Sequence, residues 1–216
     1  MVVPPTLQPP FLLPPTARLR HDPGGMIPAK ADLRRALRDR RRDFAARFDR
    51  EGRLREAADA LAAQALPHIR DARIIAGYWP IGSEADPRPL LHALHDRGRA
   101  VALPRVTTPE SPMTFHRWRP GDTLVAGGHG LLQPADGAPA LLPDLIVTPL
   151  VGFDRRLMRM GQGAGYYDRL FARFPDIRRI GLAWSAQEVE EVPADPWDMP
   201  LHAIATEREW IEPETA

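Results

Sequence analysis

From Lys30 to Phe48 the chain sets apolar residues at helical spacing. Leu33, Leu37, Phe44 and Phe48 share a face and arginines fill the others, which predicts a helix. "REAADALAAQALPHI" continues the same period and predicts a second helix that stops near Pro67. Then the period changes. "RIIAGYW" (73–79) is a short apolar run bounded by turn residues, the pattern of a buried strand. A helix follows over 87–98, ending at Gly98, and a strand over 99–106. "MTFHRW" (113–118) alternates as a partly exposed strand does, and "DLIVTPLVGF" (144–153) reads as the most apolar strand of all. The pattern closes with a helix over 165–174 and a strand over 178–184. Strands alternating with helices predict the α/β class, a single domain around a mostly parallel sheet.

Residues 1–27 stand apart, with paired prolines at Pro4–Pro5, Pro9–Pro10 and Pro14–Pro15. Repeated proline removes amide donors and favours extended conformations. Basic residues follow the apolar ones and prolines interrupt them, so the segment reads as a disordered tail and not as a secretory signal. The domain is expected to span 28–212. No apolar run approaches the ~20 residues of a membrane span, so a soluble protein is expected.

The formal net charge is +1, which gives no bulk attraction for nucleic acid or an anionic membrane. "RDRRRD" therefore reads as a solvated helix face and not as an RNA-binding patch. Cysteine is absent, which removes disulfides, thiolate catalysis and the common zinc frameworks, and fits a reducing cytoplasm. Lys30 is the only lysine among many arginines. An ammonium on a flexible stem is not equivalent to a guanidinium fork, so Lys30 is either a solvated helix residue or a deliberate point charge.

The candidate chemistry concentrates in "RMGQGAGYYDR" (159–169), between the most apolar strand and a helix. In open α/β sheets, ligands bind beyond the carboxyl ends of strands. Gly161, Gly163 and Gly165 let the backbone approach a ligand closely, and their amides with the following helix N-terminus can face an anion. Arg159 can add a charge-assisted fork to phosphate, and Asp168 offers oxygen to magnesium. The dinucleotide fingerprint fails, because Tyr166 stands where its last glycine belongs; the P-loop fails for want of a lysine. Alone, the cluster admits two readings: a phosphate-binding loop, or a tight connection whose tyrosines pack into the core.

The ordered set of motifs resembles the 5-formyltetrahydrofolate cyclo-ligase (methenyltetrahydrofolate synthetase) family. It comprises "KADLR", "YWPIGSEAD", "LPRV", "MTFHRW…PGDTL", "GLLQP", "RMGQGAGYYDR" and "GLAWSAQ…VP…DMPL", and runs from about Lys30 to Thr206. The resemblance implies a three-layer Rossmann-like domain of the CoA-transferase kind. It also implies ATP-dependent, magnesium-dependent closure of 5-formyltetrahydrofolate to 5,10-methenyltetrahydrofolate, with ADP and phosphate released. ATP is then a co-substrate, Mg2+ the cofactor, and the partners are small molecules, without nucleic acid or membrane. A cytoplasmic monomer or weak homodimer is expected.

By the same resemblance, Lys30 and Arg34 contact ATP phosphates. Arg159, Gly161, Gln162, Gly163, Ala164, Gly165, Tyr166 and Tyr167 form the ATP loop, whose middle, at Gln162 and Tyr166, also borders the folate. Arg159 and Tyr166 are the catalytic candidates, Tyr166 lying close to the formyl group. Glu84 binds the donor edge of the pterin and Trp79 contacts the substrate. Asp168 and Asp198 hold magnesium. Each has a plainer competitor: Glu84 as a helix cap, Asp198 as a turn residue, Trp79 and Tyr167 as core aromatics. This sequence also departs from the family pattern. Ala164 and Gln162 stand where some members are basic, Gln133 where a glutamate commonly precedes the proline, and Met158 where a glycine often precedes the arginine. The competing functions are a ligase for another formyl or amide substrate and a catalytically idle nucleotide-, folate- or RNA-binding homologue.

Overall fold

The computed structural model describes residues 30–108, 111–195 and 198–213. The proline-rich segment 1–27 lies outside these. Helices α1 (Lys30–Arg50) and α2 (Leu54–Ala65) form where the periodicity predicts, and a 3-10 turn containing Pro67 ends the second. Helix α3 (Arg88–Asp96) is followed by Gly98, whose φ of +77° turns the chain as a side chain would resist doing. Helix α4 (Tyr166–Arg173) is the last.

The strands are β1 (Ile74–Ala76), β2 (Ala100–Arg105), β3 (Thr114–Trp118), β4 (Leu124–Ala126), β5 (Leu132–Pro134) and β6 (Ala140–Leu141). Then come β7 (Leu145–Pro149), β8 (Gly152–Phe153), β9 (Arg159–Met160), β10 (Arg178–Leu182), β11 (Ala203–Ala205) and β12 (Trp210–Ile211). Eight form one sheet in the order β12-β11-β10-β7-β1-β2-β3-β6. The inner strands β11, β10, β7, β1 and β2 are parallel, and β12, β3 and β6 add antiparallel edges.

Alternate residues of the inner strands feed two cores. Ile75, Val101, Leu103, Leu145, Val147 and Ile180 pack against α2, α3 and the end of α1, where Phe44 and Phe48 lie. Ala76, Ala102, Ile146 and Ile204 pack on the other face with Leu170 and Phe171 of α4. A parallel sheet covered on both faces must be apolar on both, and the result is three layers.

The run 144–153 is not one strand. Pro149 has no N–H to continue the ladder, and the chain bends at Leu150 and Val151. The Leu150 carbonyl accepts from Gln187 Nε2 (2.7 Å) and Arg41 Nη1 (3.3 Å), while Val151 N–H donates to Met160 O at 2.7 Å. Strands β8 and β9 therefore form a separate hairpin. Its turn is organised by Asp154, which is fully buried. One carboxylate oxygen accepts the N–H groups of Arg156 (2.9 Å) and Met158 (3.2 Å). The other accepts Val192 N–H (2.8 Å) and the Arg156 guanidinium (Nη2 2.9 Å). The start of α1 docks on this hairpin: Leu33 and Leu37 pack with Val151, Met160, Val189 and Val192.

Candidate active site

A cavity of about 670 Å³ opens at the carboxyl ends of β1, β2 and β7. Every residue singled out from the sequence lines it. Lys30 and Arg34 come from α1, and Trp79 and Glu84 from the connection after β1. The whole run Arg159 to Asp168 comes from β9, the glycine loop and the first turn of α4, and Asp198 comes from the segment before β11.

The glycines earn their places unequally. Gly163 has φ +107° and Gly165 has φ +68°, backbone conformations that side chains resist. Gly165 is the residue at which α4 begins. Two arginines of α1 hold the loop. Arg34 Nε donates to Gly161 O at 2.9 Å, and Arg38 donates to both Gln162 Oε1 (2.9 Å) and Gln162 O (3.0 Å).

Charge is arranged in pairs. Lys30 Nζ bridges Asp195 Oδ2 (2.5 Å) and Asp198 Oδ2 (2.8 Å). Burial works to lower the Lys30 pKa, but the two carboxylates outweigh it and leave it raised. Burial likewise works to raise Asp198, and the N–H of Asp195 with Lys30 overcomes it, so Asp198 titrates below the usual carboxylate range. Arg159 pairs with Asp168 and lies beside the rings of Tyr167 (5.8 Å) and Phe171 (5.5 Å). Among the described residues, the buried Arg159 Nε has no hydrogen-bond partner.

At the other end, Glu84 is buried. Its Oε2 accepts Ile81 N–H at 3.0 Å; its Oε1 accepts Gln162 Nε2 at 3.2 Å and lies 3.6 Å from Arg41 Nη1. Beneath it, the Tyr78 hydroxyl donates to Ala85 O. Burial, with the Glu84 charge, pushes the phenols of Tyr78 and Tyr167 well above their ordinary pKa. Trp79 stands edge-on to Trp118, 5.9 Å between centroids, with the Arg88 guanidinium 5.5 Å over its ring. Ile81, Val106, Met113 and Leu131 supply an apolar wall. The cavity thus has a glycine-lined end, where Lys30, Arg34 and Arg159 face Asp168, Asp195 and Asp198, and an apolar end with a buried carboxylate, bridged by Gln162.

The reading of "RDRRRD" (38–43) as a solvated face fails at Arg41, which is buried against the Leu150 carbonyl and Glu84, and at Arg40, which donates to Glu188 O at 2.7 Å, while Arg38 reaches Gln162; the sequence does not single out Asp195 at all. Arg38 and Arg41 follow Arg34 at i+4 and i+7, one helix face, so spacing carried that signal. Asp195 lies three residues before Asp198 with nothing in its own spacing to mark it.

Among the described residues, no three His, Cys, Asp or Glu side chains form a metal cage. A magnesium ion beside a nucleotide needs only one or two carboxylates, with phosphate oxygens and water completing its shell. Asp168 and Asp198, hard oxygen donors on the glycine-lined end of the cavity, fit that requirement.

Residues 26–207 match the model of the 5-formyltetrahydrofolate cyclo-ligase family. The chain is 32% identical to the 5-formyltetrahydrofolate cyclo-ligase of Escherichia coli (strain K12) over 148 residues, 65% of this chain and 81% of that one. It is 32% identical to the Mycolicibacterium smegmatis protein of the same name over 195 residues, 85% of this chain and 96% of that one. The fold is similar to Aquifex aeolicus 5,10-methenyltetrahydrofolate synthetase, with TM-score 0.71 and 28% identity over 87% of this chain and 94% of that one. A Mycoplasma pneumoniae 5,10-methenyltetrahydrofolate synthetase shares the fold at TM-score 0.65 and 21% identity, over 83% and 99% of the two chains.

Proposed function

We propose how this cavity works from the premise that the chain belongs to the 5-formyltetrahydrofolate cyclo-ligase family. Its activity is the ATP-dependent cyclisation of 5-formyltetrahydrofolate to 5,10-methenyltetrahydrofolate.

In our reading, the glycine-lined end holds the triphosphate. Lys30, Arg34 and Arg159 meet phosphate oxygens, and the backbone amides at Gly161, Gly163 and Gly165 approach them because glycine has no side chain to intervene. The buried Nε of Arg159, unpartnered among the described residues, is a donor with capacity to spare. Lys30 and Arg159 now balance Asp198 and Asp168. Phosphates that take the cations leave both carboxylates for the magnesium ion, which supplies charge neutralisation at the transferring phosphoryl group.

The apolar end holds the folate. Glu84 can only accept, which matches the N–H edge of a pterin, and Trp79 offers a ring face. Tyr166 and Gln162 lie where the two ends meet. The formyl oxygen attacks the γ-phosphorus, the bond to the β-phosphate oxygen breaks, and ADP leaves. N10 then attacks the formyl carbon, the carbon–oxygen bond breaks, phosphate departs and the N10 proton is released. Formyl oxygen is a poor leaving group and phosphate a good one, so the chain's task is to align two reactants and stabilise migrating charge.

One observation carries the reading: the glycine loop, the α1 cations and Glu84, far apart in sequence, line one cavity whose two ends suit a triphosphate and a pterin. All the residues given roles here line the cavity from a single chain, which suits a monomer or weak homodimer, and the absence of cysteine suits the cytoplasm. The test is to mix purified protein, MgATP and 5-formyltetrahydrofolate and follow the methenyl product by absorbance. ATP-dependent product is expected; no product from folded protein overturns the reading.

A further inference from the structure

Helix α1 serves both ends of the cavity. Arg34 holds the glycine loop, and Arg41, two turns further on, reaches the apolar end, where it is 7% exposed and lines the cavity beside Glu84. Its guanidinium is pinned at two of its nitrogens. Nε donates to Ser83 Oγ at 3.2 Å and Nη1 to the Leu150 carbonyl at 3.3 Å. Ser83 is fixed in turn, since its own carbonyl accepts Trp184 Nε1 at 3.1 Å. A guanidinium is planar, so pinning Nε and Nη1 also fixes Nη2. Among the described residues Nη2 has no hydrogen-bond partner, yet it is not sealed from solvent. For a side chain this enclosed, the open space it reaches is the cavity.

Its neighbours do not use it either. Ile81 N–H and Gln162 Nε2 already donate to Glu84, at 3.0 and 3.2 Å, and the Tyr78 hydroxyl donates to Ala85 O. Arg41 Nη1 stands 3.6 Å from Glu84 Oε1, beyond a hydrogen bond, so the carboxylate does not absorb the guanidinium fork. A buried cation with unused donors is costly to the free protein, and here it stands next to a group that only accepts. The edge of a pterin runs in a matching series: an amino group, a ring N–H and then a carbonyl oxygen. A carboxylate suits the first two and repels the third.

We propose that Arg41 is a specificity-determining residue for the folate, its Nη2 donating to the pterin carbonyl oxygen beside the N–H groups that Glu84 accepts. This inference rests on the cyclo-ligase reading above, in which Glu84 takes the donor edge. A donor pinned by Ser83 and Leu150 needs little further ordering when the ligand arrives.

Arg41→Met removes every donor at similar length. Arg41→Lys keeps a cation to balance Glu84 but has no fork to span Ser83, Leu150 and the cavity together. In both variants the Kd for 5-formyltetrahydrofolate, read by calorimetry without nucleotide, should rise about tenfold or more, with the Kd for MgATP within about twofold of the parent. The decisive ligand is the reduced folate with an amino group in place of the ring oxygen. The parent should bind the oxo form at least about tenfold more tightly than this analogue, and the variants should lose most of that preference. A brace that merely held Glu84 in place would weaken both ligands alike and leave the ratio unchanged, so an unchanged ratio in a variant that folds, by circular dichroism, overturns the proposal. If Arg41→Met does not fold, Arg41→Lys carries the reading; a parent that binds both ligands equally overturns the proposal without any variant. Equal damage to the ATP and folate constants overturns it as well. If the parent itself forms no methenyl product, the cyclo-ligase reading fails first and this inference goes with it.

Discussion

Replacing Asp154 with asparagine exchanges one oxygen for an NH2 and tests how the site is braced. The buried carboxylate accepts on both oxygens, from the N–H groups of Arg156 and Met158 on one side and from Val192 N–H and the Arg156 guanidinium on the other. Whichever way an amide turned, its NH2 would face donors. A hydrogen bond to a charged group is worth about 1.5–3 kcal/mol, and a buried N–H left unpaired costs about 1–3 kcal/mol. The Arg156 side chain is 55% exposed, so its ion pair adds little. With partial relaxation, Asp154→Asn should destabilise by about 3 kcal/mol. At about 2–4 °C per kcal/mol for a domain of this size, the Tm falls by about 6–12 °C. Thermal unfolding followed by circular dichroism measures this. Asp154 also ties the hairpin that carries Arg159 to Val192, on the segment leading to Asp195 and Asp198. The KM for ATP should therefore rise severalfold at temperatures where the variant is still folded. A variant that melts within about 2 °C of the parent, with an unchanged KM for ATP, would refute the bracing argument.

Other changes probe the site directly. Lys30→Ala should raise the KM for ATP about tenfold and spare that for the folate; unchanged ATP kinetics would reduce Lys30 to a surface ion pair. Asp168→Asn should lower magnesium-dependent turnover at least about a hundredfold while the circular dichroism spectrum stays native, and near-parent turnover would remove Asp168 from the proposed metal site. Tyr78 is pushed above its ordinary pKa of 10.0 by burial first and then by the Glu84 charge. The folded state therefore keeps a proton that the unfolded state gives up, and the stability from the neutral phenol is present below about pH 10 and lost as pH rises beyond it. Tyr78→Phe should flatten part of the fall in Tm between about pH 9 and pH 12, and curves that stay parallel would show that Tyr78 does not carry the effect.

The sequence by itself determined the elements whose identity depends on near neighbours. Leu33 and Leu37 mark α1, the apolar runs mark the inner parallel strands, and glycine at 163 and 165 marks backbone angles that other residues resist. The ordered motifs also marked the residues that line the cavity. Short-range pattern could not show where 144–153 breaks, since Leu150 and Val151 are as apolar as a strand and only their partners, Gln187, Arg41 and Met160, turn them away from the sheet. Strands of two or three residues, such as β6, β8 and β12, are too short to have a period. Tertiary structure alone decided that Lys30 reaches Asp198, 168 residues away, that Arg38 and Gln162 link α1 to Glu84, and that Ser83 and Leu150 pin the guanidinium of Arg41. The reason is range: periodicity records which face of an element is buried, while the meeting of distant side chains follows from the order in which the whole chain's strands pair and its two apolar faces are covered.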